Sequence, residues 1–155
     1  MRTMAIIGRS AMFLGVLCTA IFIAQNLIAQ EENSAAVTGK AWEAFTKQDW
    51  DGAIAQADRA INIWFKQAKE MNDKLTEYPP KETAATFWAV NDIGTCYFIK
   101  GEALVKKGDK KGAIEAYAKL CKELKYSQCW DAKGWFWKPA EAAKQKLVEL
   151  QFEAQ

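Results

Sequence analysis

Histidine is absent from this 155-residue chain. With it go the commonest general base and the commonest metal ligand. There is no glycine-rich phosphate loop and no nucleophile elbow; Gly52 and Gly112, the glycines near expected helix starts, belong to turns. Adjacent or nearby acids such as Glu31 with Glu32, or Glu141 with Glu149, are what a solvated surface carries. A glycosidase needs two carboxylates fixed across a cleft, and a sequence alone leaves that pairing open. These absences point away from catalysis and imply neither cofactor nor metal. Proline is scarce, with three residues, and long runs rich in Ala, Glu, Lys and Leu fit an all-α chain.

A long apolar run occurs once, at the start. Arg2 and Arg9 precede an uncharged stretch over residues 10–29, which reads as a secretory signal peptide with Ala29 as the cleavage residue. An uncleaved anchor is the alternative, weakened by Gln25 and Asn26 inside the run. Either way the remainder is exported, to a periplasm or the extracellular space, and membrane contact is confined to the N-terminal segment if it stays uncleaved. Lipidation at Cys18 is disfavoured by the bulky Leu17 before it. Loss of residues 1–29 removes two arginines and no acid, so 21 basic and 19 acidic residues become 19 and 19. A neutral chain argues against nucleic acid and anionic membrane surfaces as partners. Residues 30–155 are enough for one domain.

Within that domain the chain repeats itself. Tyr97, Gly101 and Leu104 share one helical stripe, Gly108 ends the helix, Asp109 caps the next, and Ala113, Ile114, Tyr117 and Leu120 form the facing stripe. Gly101 against Ala113 is the expected close crossing. Asp49, Ala53 and Ile54 match Asp109, Ala113 and Ile114 at an offset of 60 residues, with Val37 and Ala41 standing where Tyr97 and Gly101 do. This pattern resembles the tetratricopeptide repeat, over residues 37–61 and 97–150, and implies antiparallel helix pairs. The repeat is about 34 residues long, so about 26 are extra. Ile63, Trp64, Ala68, Met71 and Leu75 on one side, and Ala84, Phe87, Val90 and Ile93 on the other, extend both helices into a hairpin. Its tip is Tyr78-Pro79-Pro80, projecting by roughly 20 Å. Pro139 opens a last helix whose Ala143, Leu147 and Leu150 face the core; it resembles the closing helix of such arrays. The blocks AVNDIGTCYFIKGEAL and CWDAKGWFWKP also look similar to small exported repeat proteins.

Three cysteines remain after export, an odd number. Cys121, at a helix end, and Cys129, in the loop turning back across it, are the expected disulfide, contributing roughly 2–3 kcal/mol in the chain-entropy picture. Cys96 is then a small buried residue. A metal or redox site lacks a CxxC and a fourth ligand.

Two surfaces are candidates for binding. Trp88, Asn91, Asp92, Thr95, Phe98 and Glu102, with Val105, lie on a stripe beside the core-facing one. In the proteins this chain resembles, such inner helices line a groove for a protein or peptide. Trp88 and Phe98 are then apolar anchors, with Asn91, Asp92 and Glu102 as hydrogen-bonding groups. The bland alternative is that other helices cover the stripe. Trp130, Trp135 and Trp137, with Phe136, form an aromatic loop that either plugs the end of the helical array or stacks on sugars, so a carbohydrate-associated role is the second reading.

Overall fold

The computed structural model describes residues 32–131 and 133–153; the expected signal peptide lies outside them. From Ser34 onward the chain forms one compact unit. Its elements are α1 (Ser34–Thr46), α2 (Trp50–Asn72), a single 3-10 turn (Ala84–Phe87), α3 (Trp88–Lys106), α4 (Lys110–Glu123), the strands β1 (Cys129–Asp131) and β2 (Trp135–Trp137), and α5 (Pro139–Phe152). The class is all-α with one small hairpin. No helix among the described residues is long and apolar enough to cross a membrane.

The same three-residue turn occurs twice. After α1, Asp49 N–H donates to Ala44 O (2.9 Å) and Gln48 N–H to Phe45 O (3.0 Å); after α3, Asp109 N–H donates to Leu104 O (2.9 Å) and Gly108 N–H to Val105 O (3.0 Å). Both are Schellman closures around a left-handed residue, Gln48 at φ 62 and Gly108 at φ 82. Each aspartate then caps the following helix through its carboxylate, Asp49 to Gly52 N and Asp109 to Gly112 N, both at 2.9 Å. Local chemistry therefore folds α1 onto α2 and α3 onto α4 in the same way.

Small residues let the helices approach. Ala41, Ala53, Ala57, Ala60, Ala103 and Ala113 are fully buried, and Val37, Ile93, Ile99, Tyr117, Leu120 and Leu124 fill the space between them. Helix α3 is central: it touches α1, α2, α4 and α5. Gly101 faces Tyr117 rather than Ala113, since a Cβ there would lie 2.3 Å from Tyr117 Cε1. At Gly94 it would lie 2.5 Å from Ser127 Cβ. Pro139 occupies the first turn of α5, which packs against α4 through Ala143 and Leu150.

The expected hairpin extension is partly formed and does not project freely. Helix α2 runs on to Asn72, although Ile63 is exposed rather than part of the core stripe. On the returning side the helix proper begins only at Trp88. The tip is tied back to the segment after α4. Tyr126 O–H donates to Thr76 O (2.5 Å), Gln128 Nε2 donates to Pro79 O (2.6 Å), and Tyr78 O–H lies 3.0 Å from Lys125 O and 3.1 Å from Glu141 Oε1. The Tyr78 and Tyr126 rings meet edge to face, and the Lys138 ammonium sits 3.9 Å from the Tyr78 ring centre. Bulky amphipathic rings at the tip could not remain in water without leaving their apolar faces exposed.

The Cys121–Cys129 disulfide is not formed. Cys96, Cys121 and Cys129 are free thiols. Cys121 faces α5, its Sγ 3.5 Å from Ala140 O, whereas Cys129 lies against α3, 3.0 Å from Thr95 Oγ1. The segment between them is tied to Asn72, Thr76 and Pro79 and reaches α3 at Gly94 and Asn91, so the two thiols serve different interfaces.

Two outcomes follow from this packing. Gly101→Ala should destabilise by about 1–3 kcal/mol or more and Gly101→Leu further, because Tyr117 is fully buried and has nowhere to move. Cys96→Ala should be milder, and melting temperatures of the three variants decide the order. In denaturant without reductant, all three thiols should react with a maleimide; a mass shift for one thiol alone would show that a disulfide exists.

Candidate functional site

Three residues of the expected stripe, Asp92, Thr95 and Phe98, lie beside the aromatic loop. A cleft of about 630 Å³ is lined by Ala35, Thr38, Gly39 and Trp42 from α1, Asp92, Thr95 and Phe98 from α3, and Cys129, Trp130, Trp135 and Trp137 from the hairpin. Its walls are mainly apolar, as small-molecule and side-chain pockets are.

The hairpin accounts for the rings' arrangement. β1 and β2 are antiparallel, with Cys129 opposite Trp137, Trp130 opposite Phe136 and Asp131 opposite Trp135. Alternation puts Trp135 and Trp137 on one face and Phe136 with Trp130 on the other. The first face lines the main cleft. The second lines a smaller cleft of about 360 Å³ with Lys81, Ala84, Ala85, Asn91 and Gln128; Asp92, Cys129 and Trp130 border both. Gly134, at φ 93, supplies the left-handed residue of the connection.

Not all rings are equivalent. Trp137 is half-buried, 4.9 Å from Phe98 and 6.3 Å from Trp42 between ring centres. The contacts continue from Trp42 to Phe45 and Trp50, and from Phe98 to Tyr117. Trp137 therefore plugs the floor, while Trp130 and Trp135, 52% and 49% exposed, stand at the rim.

Beneath the rings lies a polar seam. Ser34 Oγ donates to Asp92 Oδ2. Thr38 Oγ1 is 3.2 Å from Cys96 Sγ, and Thr95 Oγ1 donates to Asn91 O at 2.8 Å. Burial raises the Asp92 carboxyl above its ordinary value, the Ser34 hydroxyl opposing the shift. Burial also pushes the Cys96 thiol up to about 12 and the Cys129 thiol up to about 11. Both stay protonated near neutrality and are poor nucleophiles. Among the described residues, no group of three or more His, Cys, Asp or Glu side chains is placed to hold a metal ion.

The other expected residues have different places. Asn91 is used internally, its Nδ2 donating to Ala84 O (2.9 Å) and its Oδ1 accepting from Gln128 N (3.0 Å). Glu102 accepts from Tyr117 O–H at 2.5 Å. Trp88 is exposed but does not line either cleft. Sequence reasoning missed the α1 wall. Ala35, Thr38, Gly39 and Trp42 recur at i, i+3, i+4 and i+7, a signal of one shared helix face. A Cβ at Gly39 would meet nothing within 4 Å, so this glycine leaves the cleft open.

Comparison with protein families, curated proteins and solved structures finds no match to this chain.

A pH dependence follows from Asp92. Because its folded value is raised, the folded state binds this proton more tightly than the unfolded state does. Stability from this group is full below the ordinary value of 3.8 and is lost as pH rises through the folded value. Asp92→Asn should therefore be more stable than the parent at pH 7, with the difference vanishing near pH 3; urea midpoints at both pH values check it.

Proposed function

We propose that this protein is an exported, non-catalytic interaction module that holds a peptide segment of a protein partner in the cleft between α1, α3 and the hairpin. The observation that carries the reading is the convergence of Trp42, Phe98, Trp130, Trp135 and Trp137 on one open cleft with a half-buried carboxylate. Aromatic rings on a rigid base are the usual anchors of such contacts. The two turns of identical hydrogen bonding, 60 residues apart, support tetratricopeptide-like pairing of α1 with α2 and α3 with α4, and α5 fits the closing helix. Export rests on Arg2, Arg9 and the apolar run over residues 10–29. Two thiols held neutral and the lack of histidine favour binding over chemistry.

Exposed Trp130 and Trp135 also suit sugar stacking, and one experiment separates the readings. A random peptide library is screened against the purified protein, hits are titrated by tryptophan fluorescence, and retention on immobilised cell-envelope polysaccharides is run in parallel. Peptides should bind with micromolar affinity, and Gly39→Leu, which fills the cleft from a surface helix, should weaken them at least about tenfold with the fold intact. Polysaccharide retention that Trp135→Ala abolishes, with no peptide bound, would replace the peptide by a glycan.

A further inference from the structure

We infer that the cleft takes the cationic side chain of an arginine or lysine, with Asp92 as its counter-ion and the tryptophans as its walls. This rests on the peptide reading and names what the peptide must carry.

Asp92 lies where α3 passes under the hairpin and borders both clefts. Ser34 donates to its Oδ2, and the ion pairs of the described residues, such as Lys100 with Asp58 and Lys69 with Asp73 and Glu123, join other carboxylates. A half-buried carboxylate has given up part of its hydration. The ligand class that supplies that charge is a cation. An anionic ligand would meet Asp92 in a cleft whose lining contains no Lys or Arg. A neutral sugar would leave the charge unanswered.

The rings make the same selection. Indole faces attract ammonium and guanidinium groups through their quadrupole. One such contact is already made inside the protein: the Lys81 ammonium sits 4.4 Å from the Trp130 ring centre, on the side of the smaller cleft. Trp42, Trp135 and Trp137 line the main cleft, and Trp42 and Trp135 are exposed there. Trp42 and Trp135 offer surface to a ligand's methylene stem and charged head, and Trp137 closes the floor beneath them. A guanidinium fits best, since it stacks flat on an indole while donating sideways to a carboxylate oxygen.

The test uses small probes and does not need the natural partner. Nα-acetyl-arginine amide, Nα-acetyl-lysine amide and the neutral Nα-acetyl-citrulline amide are titrated into the purified protein while the indole N–H resonances are followed by NMR. The cationic probes should shift the Trp42, Trp135 and Trp137 signals saturably, with citrulline at least about tenfold weaker. Asp92→Asn, isosteric and still able to accept from Ser34, should bring arginine down to the citrulline level and leave citrulline unchanged. Equal binding of arginine and citrulline by the parent protein, or arginine binding that survives in Asp92→Asn, overturns the inference; so does the absence of any cation-induced shift. Library peptides that bind with no preference for a basic residue would sink the cation and keep the peptide. Cation binding with no peptide bound would sink the peptide and keep the site.

Discussion

Close approach to α3 at two bare positions is the constraint on which the rest of the molecule depends. Gly94 and Gly101 are seven residues apart, two helical turns, and so lie on nearly one line of the helix surface. At Gly101 the Tyr117 ring lies directly on the backbone, which draws α4 against α3. At Gly94 the segment after α4 does the same through Ser127. Ser127 is two residues before β1, so the position of the hairpin relative to α3 is fixed by a contact that any side chain at residue 94 would break. The Tyr117 ring also touches Phe98, Phe98 supports Trp137, and Trp137 reaches Trp42 on α1. One line of contacts thus runs from the core crossing to the floor of the cleft.

The tip of the α2–α3 connection has a related role. Gln128 is held by the Pro79 carbonyl through its side chain and by Asn91 through its backbone. Tyr126, two residues earlier, is held by Asn72 and Thr76. The end of α2 and the connection to α3 therefore clamp the segment that carries β1; without them the strap leading to the aromatic hairpin would have one side unsupported. Most of these bonds are side chain to backbone, the kind that fixes an irregular segment where no helix or sheet ladder can.

What was legible in the sequence is what local chemistry decides. The turns at residues 47–49 and 107–109 were readable because a left-handed residue, a capping aspartate and a following glycine act within six residues of each other. Helical spacing offered Trp88, Asn91, Asp92, Thr95, Phe98 and Glu102 as one stripe, of which Asp92, Thr95 and Phe98 line the cleft; the aromatic loop, open between a plug and a binding surface, puts Trp137 on the floor and Trp130 and Trp135 at the rim. What failed depended on distant partners. Gly101 was matched to Ala113 by size, yet a whole ring fits over a glycine if its hydroxyl finds a partner, and Tyr117 finds Glu102. Cys121 and Cys129 were paired by proximity in the chain, but the path between them is drawn to the end of α2 and the tip before it reaches α3. The hairpin was obscured because its strands are three residues each and β2 is three consecutive aromatics, Trp135-Phe136-Trp137, with no alternation to mark a strand. Asn91 looked like a ligand-binding amide and is a strut, because its neighbour across space, Gln128, is 37 residues away.

The division of labour among the rings bears on how selective such a cleft can be. Binding entails the loss of freedom of the groups that become ordered, about 0.5–1.5 kcal/mol for each mobile side chain. Trp137 and Phe98 are already immobilised by one another and by their neighbours on α1 and α4, so the floor adds no such cost. Only the rim indoles, Trp130 and Trp135, retain freedom to lose, and Trp130 is partly restrained by Phe136 on one side and Lys81 on another. Asp92 is likewise oriented before any ligand arrives, since Ser34 occupies one oxygen and directs the other. A carboxylate fixed in this way discriminates by charge and direction together, while the apolar lining contributes affinity with little regard to identity. For the proposed cationic ligand, selectivity would therefore reside in Asp92 and its surroundings, and the tryptophans would determine how much of the ligand's stem is removed from water once the charge is paired.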